Sequence, residues 1–193
     1  MQEVEIHGFA ASTFVRTARM TCEEKAVPHR LVPLDFRSEA HRALHPYLRM
    51  PVLTAGKRRL YETLAIVTYI DQTGSGPALR PDDALVHAEM IQWISVCNDY
   101  LYNDLLRVFL KSESPTADEL APARRDLEVV DRALSGRKFL TGASLTLADL
   151  FLAPIVAFAM SNPSGKQLCH GLEALRQWHE RMAARPSFQA TAA

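Results

Sequence analysis

Cysteine is scarce: Cys22, Cys97 and Cys169 are odd in number, far apart and form no C-x-x-C pair. That speaks against a disulfide framework and against a zinc site of paired thiolates, and it fits a reducing compartment. An excess of charge is absent too, with Lys+Arg and Asp+Glu each numbering 22. No global field gathers nucleic acid, an anionic membrane or an acidic substrate, so any affinity for anions must be local. Long apolar runs are missing: no stretch approaches the roughly eighteen residues of a membrane span, and the opening MQEVEIHGF carries acids where a signal peptide needs an apolar core. These absences predict a cytoplasmic protein with neither nucleic acid nor membrane as partner. The seven histidines show no H-E-x-x-H or comparable spacing, so no metal is expected and each histidine reads as a packing or surface residue.

What is present is an ordinary globular composition, 193 residues with 48% apolar and 23% charged side chains, enough for one large domain or two small ones. Residues 4–9 (VEIHGF) read as a strand and 12–25 as a helix, since Val15, Ala18, Arg19 and Cys22 recur at helical spacing. HRLVPLDF (29–36) reads as a second strand, with Pro33 marking an edge or bend. After a short polar segment, PVLTAGKRRLY gives two strands around a turn at Ala55-Gly56-Lys57, and 62–72 forms a helix ending before Gly74. The order βαβ then ββα implies a parallel pair followed by an antiparallel hairpin with helices packed on the sheet.

TGSGPALRP (73–81) concentrates Gly, Pro and Ser, and no strand signal follows it. The chain therefore divides into an α/β domain at 1–73, a linker at 74–81 and an all-helical domain at 82–193. Within the latter, Asp82 to about Lys111 reads as one long amphipathic helix, Thr116 with Glu119 and Thr146 with Asp149 have capping-box spacing, and the last helix, about 171–184, stops ahead of Pro186.

Ser12 precedes the first helix and by its own chemistry is a good cap. Four stretches in this order, AASTFVRTARM (10–20), RMPVL (49–53), YETLAI (61–66) and GASLTLADLFLAP (142–154), resemble the cytosolic glutathione transferases, most nearly the serine-using phi and theta-like types, across essentially the whole chain. The resemblance implies a thioredoxin-like N-terminal domain, an all-helical C-terminal domain and a homodimer. It also implies transfer chemistry in which glutathione is co-substrate, no other cofactor is needed, and the thiolate attacks a small, apolar electrophile.

Carried over residue by residue, the resemblance places Ser12 as the hydroxyl that donates a hydrogen bond to the glutathione sulfur, with Thr13 as a fallback. It makes Pro51 a cis proline whose predecessor, Met50, offers its backbone to the peptide. Glu62 would pair the γ-glutamyl ammonium, and Thr63, at a helix N-terminus, would hold the neighbouring carboxylate. The glycine carboxylate needs a cation, for which Arg49 and Arg42 are candidates and Arg37 a lesser one. Tyr100, Asn103 and Phe109 are weak candidates for a second-substrate pocket, since aromatics at that spacing more often serve a core or dimer contact. SLTLADL reads as structural, its Thr146 and Asp149 satisfying helix-end N–H groups.

The chain departs from the family pattern at HPYLRMP (45–51), with His45 for Asn, Leu48 for Gly and Arg49 at the basic or polar position. Leu48 reshapes the loop if that glycine has positive φ. A thiol-transferase variant would need a cysteine near position 12, where there is none, and the Ser-Ser-Cys signature of isomerase members is missing. The rival reading is a non-catalytic glutathione-binding or transferase-like protein that acts through protein partners.

Overall fold

The computed structural model describes residues 3–112 and 115–192, so the outermost residues of both expected domains lie outside it. Two compact units emerge: Met1–Ala78 with Arg185–Ala193, and Leu79–Ala184.

The first unit is built on a four-stranded sheet of order β2-β1-β3-β4, with β1 Val4–His7, β2 His29–Val32, β3 Val52–Ala55 and β4 Arg58–Tyr61. β1 and β2 are parallel, and β3 runs antiparallel to both β1 and β4, as the βαβ-ββα order predicts. Val4 and Ile6 of β1 join Val15, Ala18 and Cys22 of helix α1 (Thr13–Glu24) and Ile66 and Ile70 of α3 (Thr63–Thr73) in one core. This is a thioredoxin-like unit. The polar segment after β2 contains a helix that periodicity does not reveal, α2 (Glu39–Leu44), capped by the Ser38 hydroxyl at His41 N–H. Six residues are too few for a 3.6-residue repeat to declare itself.

Residues 74–77 are fastened to the end of α1 and do not form a loose tether. Lys25, 3% exposed at its side chain, places Nζ 3.1 Å from Asp71 Oδ1, 2.6 Å from the Gly76 carbonyl and 2.7 Å from that of Pro77. Three acceptors satisfy the three ammonium protons. A Cβ on Gly76 would collide with the Glu24 carbonyl, so glycine is required by close approach.

The second unit is helical: α4 (Ala84–Val96), a π-helix (Cys97–Leu106), α5 (Arg107–Lys111), α6 (Ala117–Leu134), α7 (Leu147–Ser161), α8 (Pro163–Cys169) and α9 (Glu173–Ala183). The single long helix expected to about 111 is thus divided by the π segment. Both capping boxes form, at Thr116/Glu119 and Thr146/Asp149. Asp149 is fully buried: Oδ1 accepts from Leu140 N–H (3.0 Å) and Trp178 Nε1–H (2.9 Å), and Oδ2 from Thr146 N–H (3.0 Å) and its hydroxyl (3.1 Å). Burial pushes its carboxyl above the ordinary range against the pull of these four bonds. The motif's role is structural, as its sequence suggests.

Beyond Pro186 a short helix, α10 (Pro186–Ala190), returns to the first unit. Arg185 pairs with Glu24 through two bonds of 2.7 Å, and the Arg16 guanidinium lies 4.0 Å over the Phe188 ring while donating to the Phe188 carbonyl at 2.9 Å. Residues 185–192 therefore pack with α1, where the sequence reading groups them with the helical domain.

Candidate functional site

The register brings separate parts of the chain to one end of the sheet. His7 pairs with Val32 of β2 and Val52 of β3, and Val52 pairs with Tyr61 of β4. The turn leaving β1, the segment leaving β2, the approach to β3 and the turn leaving β4 must all emerge at that end. Ser12, Arg37, Met50, Pro51, Glu62 and Thr63 lie on those segments. Gly8 marks their closeness: its φ is 155°, and a Cβ there would collide with Val15 and stand 3.4 Å from the Met50 side chain.

Ser12 is the N-cap of α1, its Oγ accepting from Val15 N–H at 3.4 Å, and Ser12 N–H closes the turn on the Phe9 carbonyl at 3.0 Å. A cap uses the hydroxyl as acceptor and leaves its proton free to donate. Capping and thiol activation are therefore compatible. Thr13, the first residue of the helix, is buried.

The Met50-Pro51 peptide is cis. Met50 lies just outside the β3 ladder, which begins at Val52. Leu48 adopts φ 52°, with its N–H on the His45 carbonyl at 3.0 Å, so this non-glycine residue keeps a left-handed turn at a strain of about 1 kcal/mol. The Arg49 side chain is exposed while its carbonyl is taken by His41 Nε2 at 2.9 Å, and Arg42 and Arg37 are exposed as well.

Glu62 is the N-cap of α3 with φ 70° and ψ 119°, and its side chain makes no capping bond. No hydrogen bond of its carboxylate or of the Thr63 hydroxyl to another described residue is present. The first α3 bond runs from Ile66 N–H to the Glu62 carbonyl, so the N–H groups of residues 63–65 have no partner within the helix. A carboxylate, a hydroxyl and open N–H groups side by side suit a zwitterion, which carries one charge of each sign.

Sequence reading missed the aromatic support behind these groups. Ring centroids run from Phe9 to Phe36 at 6.0 Å, Phe36 to His41 at 5.2 Å, His41 to His45 at 6.5 Å and His45 to Tyr61 at 4.9 Å, linking the turn before Ser12 to the residue before Glu62. Only the sequence proximity of His45 and Tyr47 to Pro51 hinted at it.

In the helical unit, Tyr100 is exposed on the π-helix, Asn103 donates its amide to the Asp99 carbonyl at 2.7 Å, and Phe109 is buried with its ring edge-on to Phe158 at 6.1 Å. Among the described residues no group of three or more His, Cys, Asp or Glu could hold a metal. All three cysteines are buried; burial pushes the Cys22 thiol up to about 12 and that of Cys169 to about 11, away from thiolate chemistry.

Comparison with known proteins gives the same assignment from both halves. Residues 6–78 match the glutathione S-transferase N-terminal domain and residues 115–181 the C-terminal domain. Glutathione S-transferase 3 of Zea mays is 28% identical over 214 residues, covering 100% of this chain and 95% of its own. Poplar glutathione transferase F1 superposes with a TM-score of 0.87 at 23% identity over 99% of this chain and 97% of that one, a likeness of fold. A glutathione S-transferase from Methylobacillus flagellatus solved with GSH bound has a TM-score of 0.86 at 20% identity, covering 98% of each chain. With both domain matches in sequence order on a thioredoxin-like unit followed by a helical one, this chain belongs to the glutathione S-transferase family.

Proposed function

We propose that the chain is a glutathione transferase in which Ser12 donates its hydroxyl proton to the glutathione sulfur and holds it as thiolate. Thr13 buttresses that turn. Met50 and Pro51 present backbone groups to the peptide, Glu62 takes the γ-glutamyl ammonium, Thr63 and the α3 N–H groups take its carboxylate, and Arg49 takes the glycine carboxylate. The thiolate then forms a bond to an electrophilic carbon, whose leaving group departs or whose double bond accepts a proton. Tyr100 is the exposed member of the three second-substrate candidates and is proposed to touch the electrophile; Asn103 and Phe109 act behind it. The protein works in the cytoplasm as a homodimer.

The observation that carries this reading is Glu62. A non-glycine residue held at φ 70° costs energy, and among the described residues neither a cap bond nor an ion pair of its carboxylate offsets it. Strain of this kind, about 1–3 kcal/mol, persists where function uses the geometry. The activation energetics are sufficient. A free thiol has a pKa of about 8.5, and lowering it by roughly two units needs about 2.7 kcal/mol of preference for the thiolate. One hydrogen bond to the charged form contributes about 1.5–3 kcal/mol and a helix N-terminus about 0.3–1. Alignment of the two reactants lowers the barrier by a further several kcal/mol.

Retention on immobilised glutathione followed by a conjugation assay across varied electrophiles tests the proposal. Retention with turnover that drops about twentyfold or more at about pH 7 in Ser12→Ala is expected, because the thiolate fraction falls from about three-quarters at a pKa of about 6.5 to about 3% at about 8.5. Retention without any turnover contradicts it and favours a binding protein. Sedimentation at micromolar concentration checks the dimer, and a monomer there removes that part.

A further inference from the structure

The two histidines of segment 37–50 bond as well as pack. His41 is 0% exposed; its Nδ1 accepts from Arg37 N–H at 3.0 Å and its Nε2–H donates to the Arg49 carbonyl at 2.9 Å. His45, 1% exposed, accepts from Tyr47 N–H at Nδ1 at 3.2 Å. An imidazole that accepts at Nδ1 is neutral with its proton on Nε2. Protonation of His45 turns its Nδ1 into a donor aimed at the Tyr47 N–H, which breaks that bond inside a buried cluster. The bond broken holds the turn before Arg49, while the His41 Nε2–H bond separately ties α2 to the carbonyl of Arg49, the residue preceding Met50.

We propose that His41 and His45 are positioning residues for glutathione: together they hold segment 37–50 in the form that presents Met50, and protonation of His45 releases the turn before Arg49. The inference rests on the glutathione reading above. His41 faces the Phe36 and His45 rings and the backbone of Arg37 and Arg49. His45 faces Glu62 at the start of α3, Arg49, Arg59 of β4, His41, and the Tyr47 and Tyr61 rings. One carboxylate stands against two guanidinium groups, so the neighbours do not favour another cation. Burial, aided by those cations and opposed by Glu62, holds His45 below the ordinary histidine value. A base depressed in the closed form takes its proton more readily once the segment opens. The closed form is therefore fully favoured above about pH 6.5 and is lost progressively below it.

S-methylglutathione separates this effect from thiol ionisation, because it has no thiol and none of its groups titrates between about pH 5 and 7.5. Calorimetric affinity for it is expected to fall about tenfold between those limits in the parent chain. In the double variant His41→Gln, His45→Asn, affinity is weaker at neutral pH and no longer changes with acidification. The same acid loss in the variant, or a parent affinity constant within about twofold across the range, overturns the proposal. Parent binding absent even at about pH 7.5 removes the glutathione reading itself, which is a different result. Should the variant not fold, amide exchange in the parent decides: Tyr47 N–H protection, corrected for intrinsic rates, falls about tenfold at about pH 5 while β1 and β3 amides keep theirs. Unchanged Tyr47 protection overturns it.

Discussion

The Ser12 hydroxyl serves the fold with its lone pair and retains a proton for a ligand, which is why a residue that reads as a cap can also carry the chemistry. Glu62 shows the converse, a residue whose backbone works against stability. Glu62→Gly removes the φ penalty and the carboxylate together. Its unfolding free energy in denaturant should stay the same or rise by up to about 1 kcal/mol, strain relief offsetting the extra entropy of glycine. Its glutathione affinity should fall about tenfold or more, the loss of one charge-assisted bond. A stability loss above about 1 kcal/mol with affinity intact would show Glu62 to be structural. The helix cap at Ser12 was legible from residue type, and the cis Met50-Pro51 peptide from the family resemblance. The histidine bonds were not, because an imidazole's partners come from backbone N–H and carbonyl groups that carry no sequence signature.

Elements long enough to repeat their pattern were readable, and short or irregular ones were not. The strands, α1, α3, α6 and α7 follow their periodicity and caps, whereas α2 and α10, of 6 and 5 residues, lack the length for a helical repeat. The π-helix of 10 residues interrupts a stretch that reads as continuous amphipathic helix, since an extra residue per turn depends on how the helix packs. Capping boxes were legible because each needs only two residue types at a fixed spacing. Asp149 carries more than its box, tying the start of α7 to Leu140 and to Trp178 of α9. Asp149→Ala should therefore lower unfolding stability by about 3 kcal/mol or more, by leaving buried donors at three sites without an acceptor. A loss under about 1 kcal/mol by chemical denaturation would mean that the cap alone matters.

At the scale of the whole chain, the return of residues 185–192 to the first unit was not legible, since it depends on long-range pairs such as Arg185 with Glu24. Deleting 185–193 should lower the thermal midpoint, and Arg185→Ala alone should account for part of that drop. An unchanged midpoint in the deletion contradicts the packing described. Burial is the leading cause that depresses His7, His29 and His45. A base depressed in the folded state takes up protons on unfolding, so the stability it contributes is present above about pH 6.5 and is lost as pH falls through the folded value. Denaturation midpoints should accordingly decline between about pH 7 and 5. The proposed activity rests on the acidity of one bound thiol, and ultraviolet absorbance of the thiolate, followed against pH with glutathione bound, measures it directly. A titration midpoint about two units below that of free glutathione, restored to the free value in Ser12→Ala, is the predicted result. A midpoint equal to that of free glutathione in the parent chain, or one that Ser12→Ala leaves unmoved, would contradict the assignment.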